Sequence, residues 1–227
     1  QGDILYSRSP RRNTAEFDIR GHQSWEIRSI SLQSIDDKRA FLRAELSPER
    51  SSENTWLTDL NGDGSHDWRD MLVEKNEVYK LRDSDGDGFA DWSQLMVQDF
   101  HEEVTDVAGG LMETEDALFV AAGPDLWRLM DKNGDGIMDE KQSLSHGYGI
   151  HIGFGSHGMS GIEMGPDGRI YWGIGDIGFN GKGPDGTVWK YPNRGVIARA
   201  NPDGSDFEIF AMGVRNTTSL FLISTTT

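Results

Sequence analysis

Through the second half of the chain, apolar residues come in short runs, each stopped by Gly, Asp or a Pro-Asp-Gly triplet. DALFVAAG (116–123), LWRLMD (126–131), RIYWGIGD (169–176), GVIARANPDG (195–204) and FEIFAMG (207–213) have this form. Runs this short, rich in β-branched and aromatic residues and bounded by turn formers, predict strands. GPDG at 165–168, GPDG at 183–186 and NPDG at 201–204 predict the turns between them. In such a turn Pro sets φ, Asp bonds locally and Gly takes the left-handed conformation. Only IDDKRAFLRAEL, 35–46, reads as a helix, and it decorates an otherwise β-rich chain. The pattern predicts an all-β protein with long, Asp-rich connections.

Three of those connections share a spelling. DLNGDGSHD (59–67), DSDGDGFAD (83–91) and DKNGDGIMD (131–139) each read D-x-[DN]-G-D-G-x-x-D. The second and third also correspond upstream, VYKLRDSDGDGFAD against LWRLMDKNGDGIMD, at an offset of 48 residues. A repeat of about 40–50 residues fits a four-stranded propeller blade. The fold expected is therefore a β-propeller, of which 227 residues hold about four or five blades out of six. GVRNTTSLFLISTTT starts a strand pattern that stops in a Thr run, which suggests a ring continuing past Thr227. The organisation expected is a lead-in segment or first blade over 1–54 with a short helix, then an incomplete propeller over 55–227.

Alternate carboxylates in a tight turn converge on one point, and a glycine at the sixth position permits the bend. The expected metal ligands are Asp59, Asn61, Asp63 and Asp67 in the first loop and Asp83, Asp85, Asp87 and Asp91 in the second. In the third they are Asp131, Asn133, Asp135 and Asp139. Hard oxygen donors in this number suit Ca²⁺ over Zn²⁺ or copper. Position 12, where a complete EF-hand has Glu, holds Asp70, Gln94 and Gln142, so other groups must finish the coordination. The ten carboxylates of the three loops would repel one another without a cation, which gives calcium a structural role.

Composition narrows the class. A formal net charge of −16 argues against a nucleic-acid binder, which needs a basic surface. No run approaches the length of a membrane span. The absence of cysteine excludes disulfides, thiolate metal sites and covalent haem attachment within these residues. Adjacent acids such as Glu102 and Glu103 make a poor hydrolase pair, because neighbours on a strand point to opposite faces.

SHGYGIHIGFGSHGMSG, 145–161, sets His146, His151 and His157 among six glycines, at spacings that match no zinc motif. The longer strings HGMSGIEMGPDGRIYWGIGDIGFNG (157–181) and GVIARANPDGSDFEIFAMGVRN (195–216) carry a resemblance. They resemble the six-bladed soluble glucose/sorbosone dehydrogenases, which use pyrroloquinoline quinone (PQQ). In that family a His stands eight residues before a Gly-Pro-Asp turn, Gly-Asp-x-Gly follows the next strand, and Gly-x-Arg-Asn comes later. Here those positions are His157, Gly165–Asp167, Gly175–Gly178 and Gly213–Asn216. With its Asp-rich loops and HEEVTDVAGGL (101–111), the chain looks closest to the large membrane-bound dehydrogenase-type proteins of environmental bacteria.

The resemblance implies roles. His157 would take the hydroxyl proton of a sugar or alcohol while hydride passes to PQQ, and Asp176 would orient the imidazole. Arg215 and Asn216 would contact the cofactor. It also implies a periplasmic or extracellular protein, membrane-associated if at all through other regions, that passes electrons to a cytochrome c-type domain or partner. The pattern departs at Gly161, where the family has Arg, and the family's calcium and further cofactor ligands would fall beyond Thr227. The fragment would then be inactive alone. The alternative reading is a non-catalytic, calcium-stabilised propeller that binds a carbohydrate or a protein.

Overall fold

In a computed structural model of the protein, residues 2–10, 18–153, 157–183, 185–217 and 220 are described. Among the described residues most of the regular structure is β, in several antiparallel sheets with no closed barrel. Strand β1 (Ile4–Arg8) pairs with β2 (Asn76–Arg82), which pairs with β3 (Trp92–Asp99). The next sheet follows chain order through β4 (Ala108–Glu113), β5 (Leu118–Ala122), β6 (Asp125–Met130) and β7 (Glu140–His146). A last four-stranded sheet begins with β8 (Ser160–Met164) and β9 (Ile170–Ile174). A separate hairpin, β10 (Phe179–Lys182) and β11 (Val188–Tyr191), intervenes before β12 (Gly195–Ala200) and β13 (Glu208–Val214) complete it.

Strands form at the five expected runs, as β5, β6, β9, β12 and β13; most of the strand pattern expected from Gly213 onward, and Pro184 of the turn at 183–186, lie outside the described residues. Gly165–Gly168 closes β8 onto β9 through a 3.0 Å bond from Gly168 N–H to the Gly165 carbonyl, with Gly168 at φ +78°. Asn201–Gly204 does the same between β12 and β13, with Gly204 at φ +87°. The hairpin β10–β11 is an addition that the pattern did not announce, because its strands are short and half polar.

The sheets stack face to face. Leu118, Val120 and Ala122 of β5 pack with Val78, Met96 and Phe100 of the first sheet and its exit. Their neighbours Phe119 and Ala121 pack the other way, against Ile170, Trp172 and Ala198. Every residue of β5 is buried, which is why this strand reads as an unbroken apolar run rather than an alternating one. The first strands of the two four-stranded sheets, β4 and β8, lie side by side.

Between β1 and β2 the chain leaves the sheets for a helical excursion with its own core. Helices α1 (Glu26–Ile30) and α2 (Ile35–Glu45) join the 3-10 turns Ile19–Gly21, Gln23–Trp25, Pro48–Glu53 and Asp70–Leu72. Ser34 caps α2 by accepting the Asp37 N–H at 3.1 Å, and Asp36 and Asp37 face the positive end of the helix dipole. The single expected helix is α2; α1 and the 3-10 turns were not foreseen, since pieces this short show no sustained period. Trp25, Phe41, Leu42, Leu46, Leu57 and Met71 cluster here around Ile150 and Ile152. Strand β1 is in register with β2 from Ile4–Leu81 to Arg8–Glu77, so the first strand of the 1–54 segment shares a sheet with residues past 55.

The excursion is clamped onto the segment that leads to His157. Lys38 Nζ donates to the Gly149 carbonyl at 2.8 Å, and Ile19 N–H to that of Gly153 at 3.0 Å. Ser29 Oγ donates to the Ile152 carbonyl and accepts its N–H, at 3.1 and 2.9 Å. The same segment runs beside the β9–β10 connection: Gly149 and His151 N–H reach the carbonyls of Gly178 and Ile177 at 2.9 and 3.0 Å.

Candidate functional site

His157 precedes β8 and Asp176 follows β9. Antiparallel pairing sets the start of one strand beside the end of the other, and a 3.0 Å bond from Gly175 N–H to the His157 carbonyl extends the ladder. A third segment closes in, with Asp176 N–H on the Arg215 carbonyl at 2.9 Å. Gly175 is obligatory at this crossing: a Cβ there would lie 2.5 Å from the Arg215 carbonyl oxygen and 2.7 Å from that of His157. Asp176 Oδ1 stands 2.6 Å from His157 Nδ1. A carboxylate facing Nδ1 selects the tautomer with the proton on that atom and leaves the lone pair on Nε2. His157 is buried, while the Asp176 side chain is 40% exposed.

Arg215 Nε lies 3.4 Å from Asp176 Oδ2, and the Arg215 side chain is 75% exposed. Asn216, the next residue, is exposed. Two hydroxyls, one at the start of β8 and one past the end of β13, were not anticipated. Ser160 Oγ and Thr217 Oγ1 are buried with no hydrogen-bond partner among the described residues. Ser160 pairs with Gly173, and Thr217 packs where a Gly173 side chain would be, which no sequence motif signals.

The other histidines have different surroundings. His146 Nδ1 meets Asp125 Oδ1 at 2.9 Å, and this bond raises the imidazole pKa above its ordinary value. His151 is buried with Nε2 at 3.2 Å from the Leu32 carbonyl; burial lowers its pKa, and the nearby Lys38 charge adds to the effect. Lys38 itself is buried; its spacing from Phe41 and Leu42 places it on the apolar face of α2, a signal legible in the sequence. Glu102 and Glu103 lie in a turn and not on a strand. Glu103 is buried and bound by Arg39 and Arg43 at 3.1 and 2.6 Å, so this pair ties α2 to the sheets.

The three acidic loops fold alike. The first Asp of each (Asp59, Asp83, Asp131) accepts the N–H groups of the glycines at positions 4 and 6, at 2.7–2.9 Å. Those six glycines have φ between +73° and +95°, where a Cβ is strained. The fifth residue (Asp63, Asp87, Asp135) accepts the N–H of the seventh at 2.8 Å. Asp83, Asp85 and Asp87 each present an oxygen within 4.8 Å of the others, so this trio could hold a metal ion. Bonds from Gly136 and Gly134 N–H lower the pKa of Asp131, and bonds from Ser84 do the same for Asp91. In the third loop Asn133 supplies an amide oxygen between Asp131 and Asp135, and Asp139 caps the Lys132 N–H at 2.9 Å. In the first, Asp67 is buried and bound to Arg69.

A β-rich stack of antiparallel sheets with glycine-bent acidic loops and a histidine–carboxylate pair at a strand crossing defines the class. A family profile described as "Domain of unknown function (DUF7133)" matches residues 45–222, and the chain belongs to that family. No curated protein and no solved structure matches it.

Proposed function

We propose that the protein is a quinoprotein-type dehydrogenase propeller that oxidises a sugar or alcohol, and that the His157–Asp176 pair is its proton acceptor. The observation that carries this is the 2.6 Å contact between His157 Nδ1 and Asp176 Oδ1, at the ends of paired strands. On this reading the three sheets are successive blades. Support comes from their face-to-face packing and the adjacency of β4 and β8. The 48-residue repeat, which matches β2 and its following loop to β6 and its own, points the same way.

The donor set here suits one edge of an oxygen-rich anionic group such as PQQ. Arg215 offers an exposed guanidinium, Asn216 an amide, and Thr217 a buried hydroxyl without a partner among the described residues. Bound there, PQQ would supply the two-electron oxidant. The chain's own residues do the rest. His157 Nε2 takes the substrate hydroxyl proton. Asp176 holds the ring through Nδ1 and stabilises the imidazolium that forms. Arg215 steadies the second Asp176 oxygen. Ca²⁺ is the proposed ion for the acidic loops, with Asp83, Asp85 and Asp87 the best-formed set. An exported location and a cytochrome electron acceptor belong to the same proposal. Among the described residues no helix is long and apolar enough to cross a membrane.

The test supplies PQQ and Ca²⁺ to the full-length protein that contains these residues, since this stretch alone is expected to be inactive, and measures dye reduction with a panel of sugars and alcohols. Turnover is expected, falling about 100-fold or more in His157→Gln, which removes the base; the melting temperature should be unchanged. Absence of both quinone binding and turnover overturns the enzyme reading.

A further inference from the structure

We propose that Arg69 is the built-in cation of the loop 59–67, so that this loop closes without a metal while its two relatives depend on one. The contrast with the relatives rests on the calcium reading above. Arg69 Nε and Nη2 grip Asp67 Oδ1 and Oδ2 at 2.8 and 2.6 Å, a bidentate pair. The same Nη2 lies 3.1 Å from Asp63 Oδ2. One guanidinium therefore spans positions 5 and 9, the carboxylates a bound metal would otherwise neutralise. Asp67 is fully buried, and a buried carboxylate needs such a partner. The Arg69 hydrogen bond lowers its pKa far below the ordinary value.

The rest of the loop has been rearranged to allow this. In the other two loops the ninth residue caps the second N–H: Asp91 accepts from Ser84 at 2.7 Å and Asp139 from Lys132 at 2.9 Å. In the first loop Asp70, at position 12, takes over that role. It accepts the N–H groups of Leu60 and Asn61 at 2.9 and 3.2 Å, and its other oxygen accepts that of Asp67 at 3.0 Å. Asp67 is thereby released to face Arg69.

Chain direction explains why position 11 can act here and nowhere else. After 83–91 and 131–139 the chain runs straight into β3 and β7. Extended backbone carries the eleventh side chain off: Lys141 pairs with Asp99 and lies 4.6 Å from the centre of the Trp127 ring. The corresponding Ser93 has no charge to offer. After 59–67 the chain turns instead, into the 3-10 stretch Asp70–Leu72. Arg69 N–H bonds Asp67 Oδ1 at 3.0 Å, which curls the guanidinium back over the loop.

The test counts bound Ca²⁺ by titration calorimetry and follows melting in chelator and in Ca²⁺. The double variant Asp83→Asn/Asp131→Asn is expected to bind no calcium. Arg69→Met in chelator should melt about 10 °C below the parent protein, the scale for stranding a buried carboxylate. Ca²⁺ should restore it and fill one site more than the parent has. A calcium ion retained by the double variant and lost on adding Asp59→Asn would overturn the proposal. So would an Arg69→Met protein that melts like the parent in chelator, or whose loss Ca²⁺ does not repair. If Arg69→Met does not fold, the double variant decides. If the parent binds no calcium, the reading of the other two loops fails, and the Arg69→Met rescue still decides the role of Arg69.

Discussion

His157 and Asp176 are 19 residues apart and meet because a Gly-Pro-Asp-Gly turn folds β8 onto β9, a closure legible in the sequence. That Arg215 would arrive at the same carboxylate was not legible as contact, since it depends on a third segment crossing at Gly175. The three histidines of one glycine-rich stretch also part ways by environment. For His151 burial depresses the folded-state pKa, so the unfolded chain binds protons more readily. Its contribution is full above about pH 6.5 and is lost as pH falls through the folded value. For His146 the sign is opposite: Asp125 raises the folded pKa, and that stability is present below about pH 6.5 and fades as pH rises through the folded value. His151→Gln, whose amide can still donate to the Leu32 carbonyl, should therefore narrow its stability deficit against the parent as pH drops from 7.5 to 5. Urea melts at the two pH values check this, and a gap that widens towards acid contradicts the buried, neutral imidazole.

Among the elements, the acidic loops share a path bent by glycines at positions 4 and 6, and in the loop 83–91 the oxygens of Asp83, Asp85 and Asp87 lie within 4.8 Å of one another, whereas Asp67 turns to Arg69 and Asp139 to the Lys132 N–H. Their spelling did not reveal that the three differ in counter-charge. That difference lies after the ninth residue, where β3 and β7 begin in two cases and a 3-10 turn in the third. Chelation should accordingly lower the melting temperature by about 5 °C or more, and added Ca²⁺ should restore it. An unchanged melt in excess chelator would remove calcium from these loops. The helical excursion was only partly legible. Helix α2 has a cap, acidic first turn and apolar face, whereas the 3-10 turns are held by tertiary partners such as Ile150 and Ile152.

For the molecule as a whole, the middle sheet is buried on both sides, and adjacent residues of one strand serve two cores. Phe119 faces the cluster of Trp172, and Leu118 the cluster of Val78 and Met96. Phe119→Ala should cost about 3–5 kcal/mol and Leu118→Ala about 2–5 kcal/mol, each read from denaturant melts. A sheet with one wet face would give a large loss at one position and almost none at the other. A neutral Leu118→Ala would mean that the first sheet does not pack there.

Taken alone, the sequence determined the strands β5, β6, β9, β12 and β13, the turns that join β8 to β9 and β12 to β13, the helix α2 and the glycine-bent path of the acidic loops, because each rests on contacts between near neighbours and on residues with few backbone options. It also determined the hairpin that pairs His157 with Asp176. Only the tertiary structure decided that β5 has no solvent face, that Arg215 crosses at Gly175, and that the excursion after β1 clamps residues 149–153. It likewise decided that Arg69 turns back on Asp67 while Lys141 turns away to Asp99. The first three depend on where separate segments pack, and local propensity carries no record of that; the last depends on the path of the chain after the ninth residue, a 3-10 turn in one case and a sheet strand in the other.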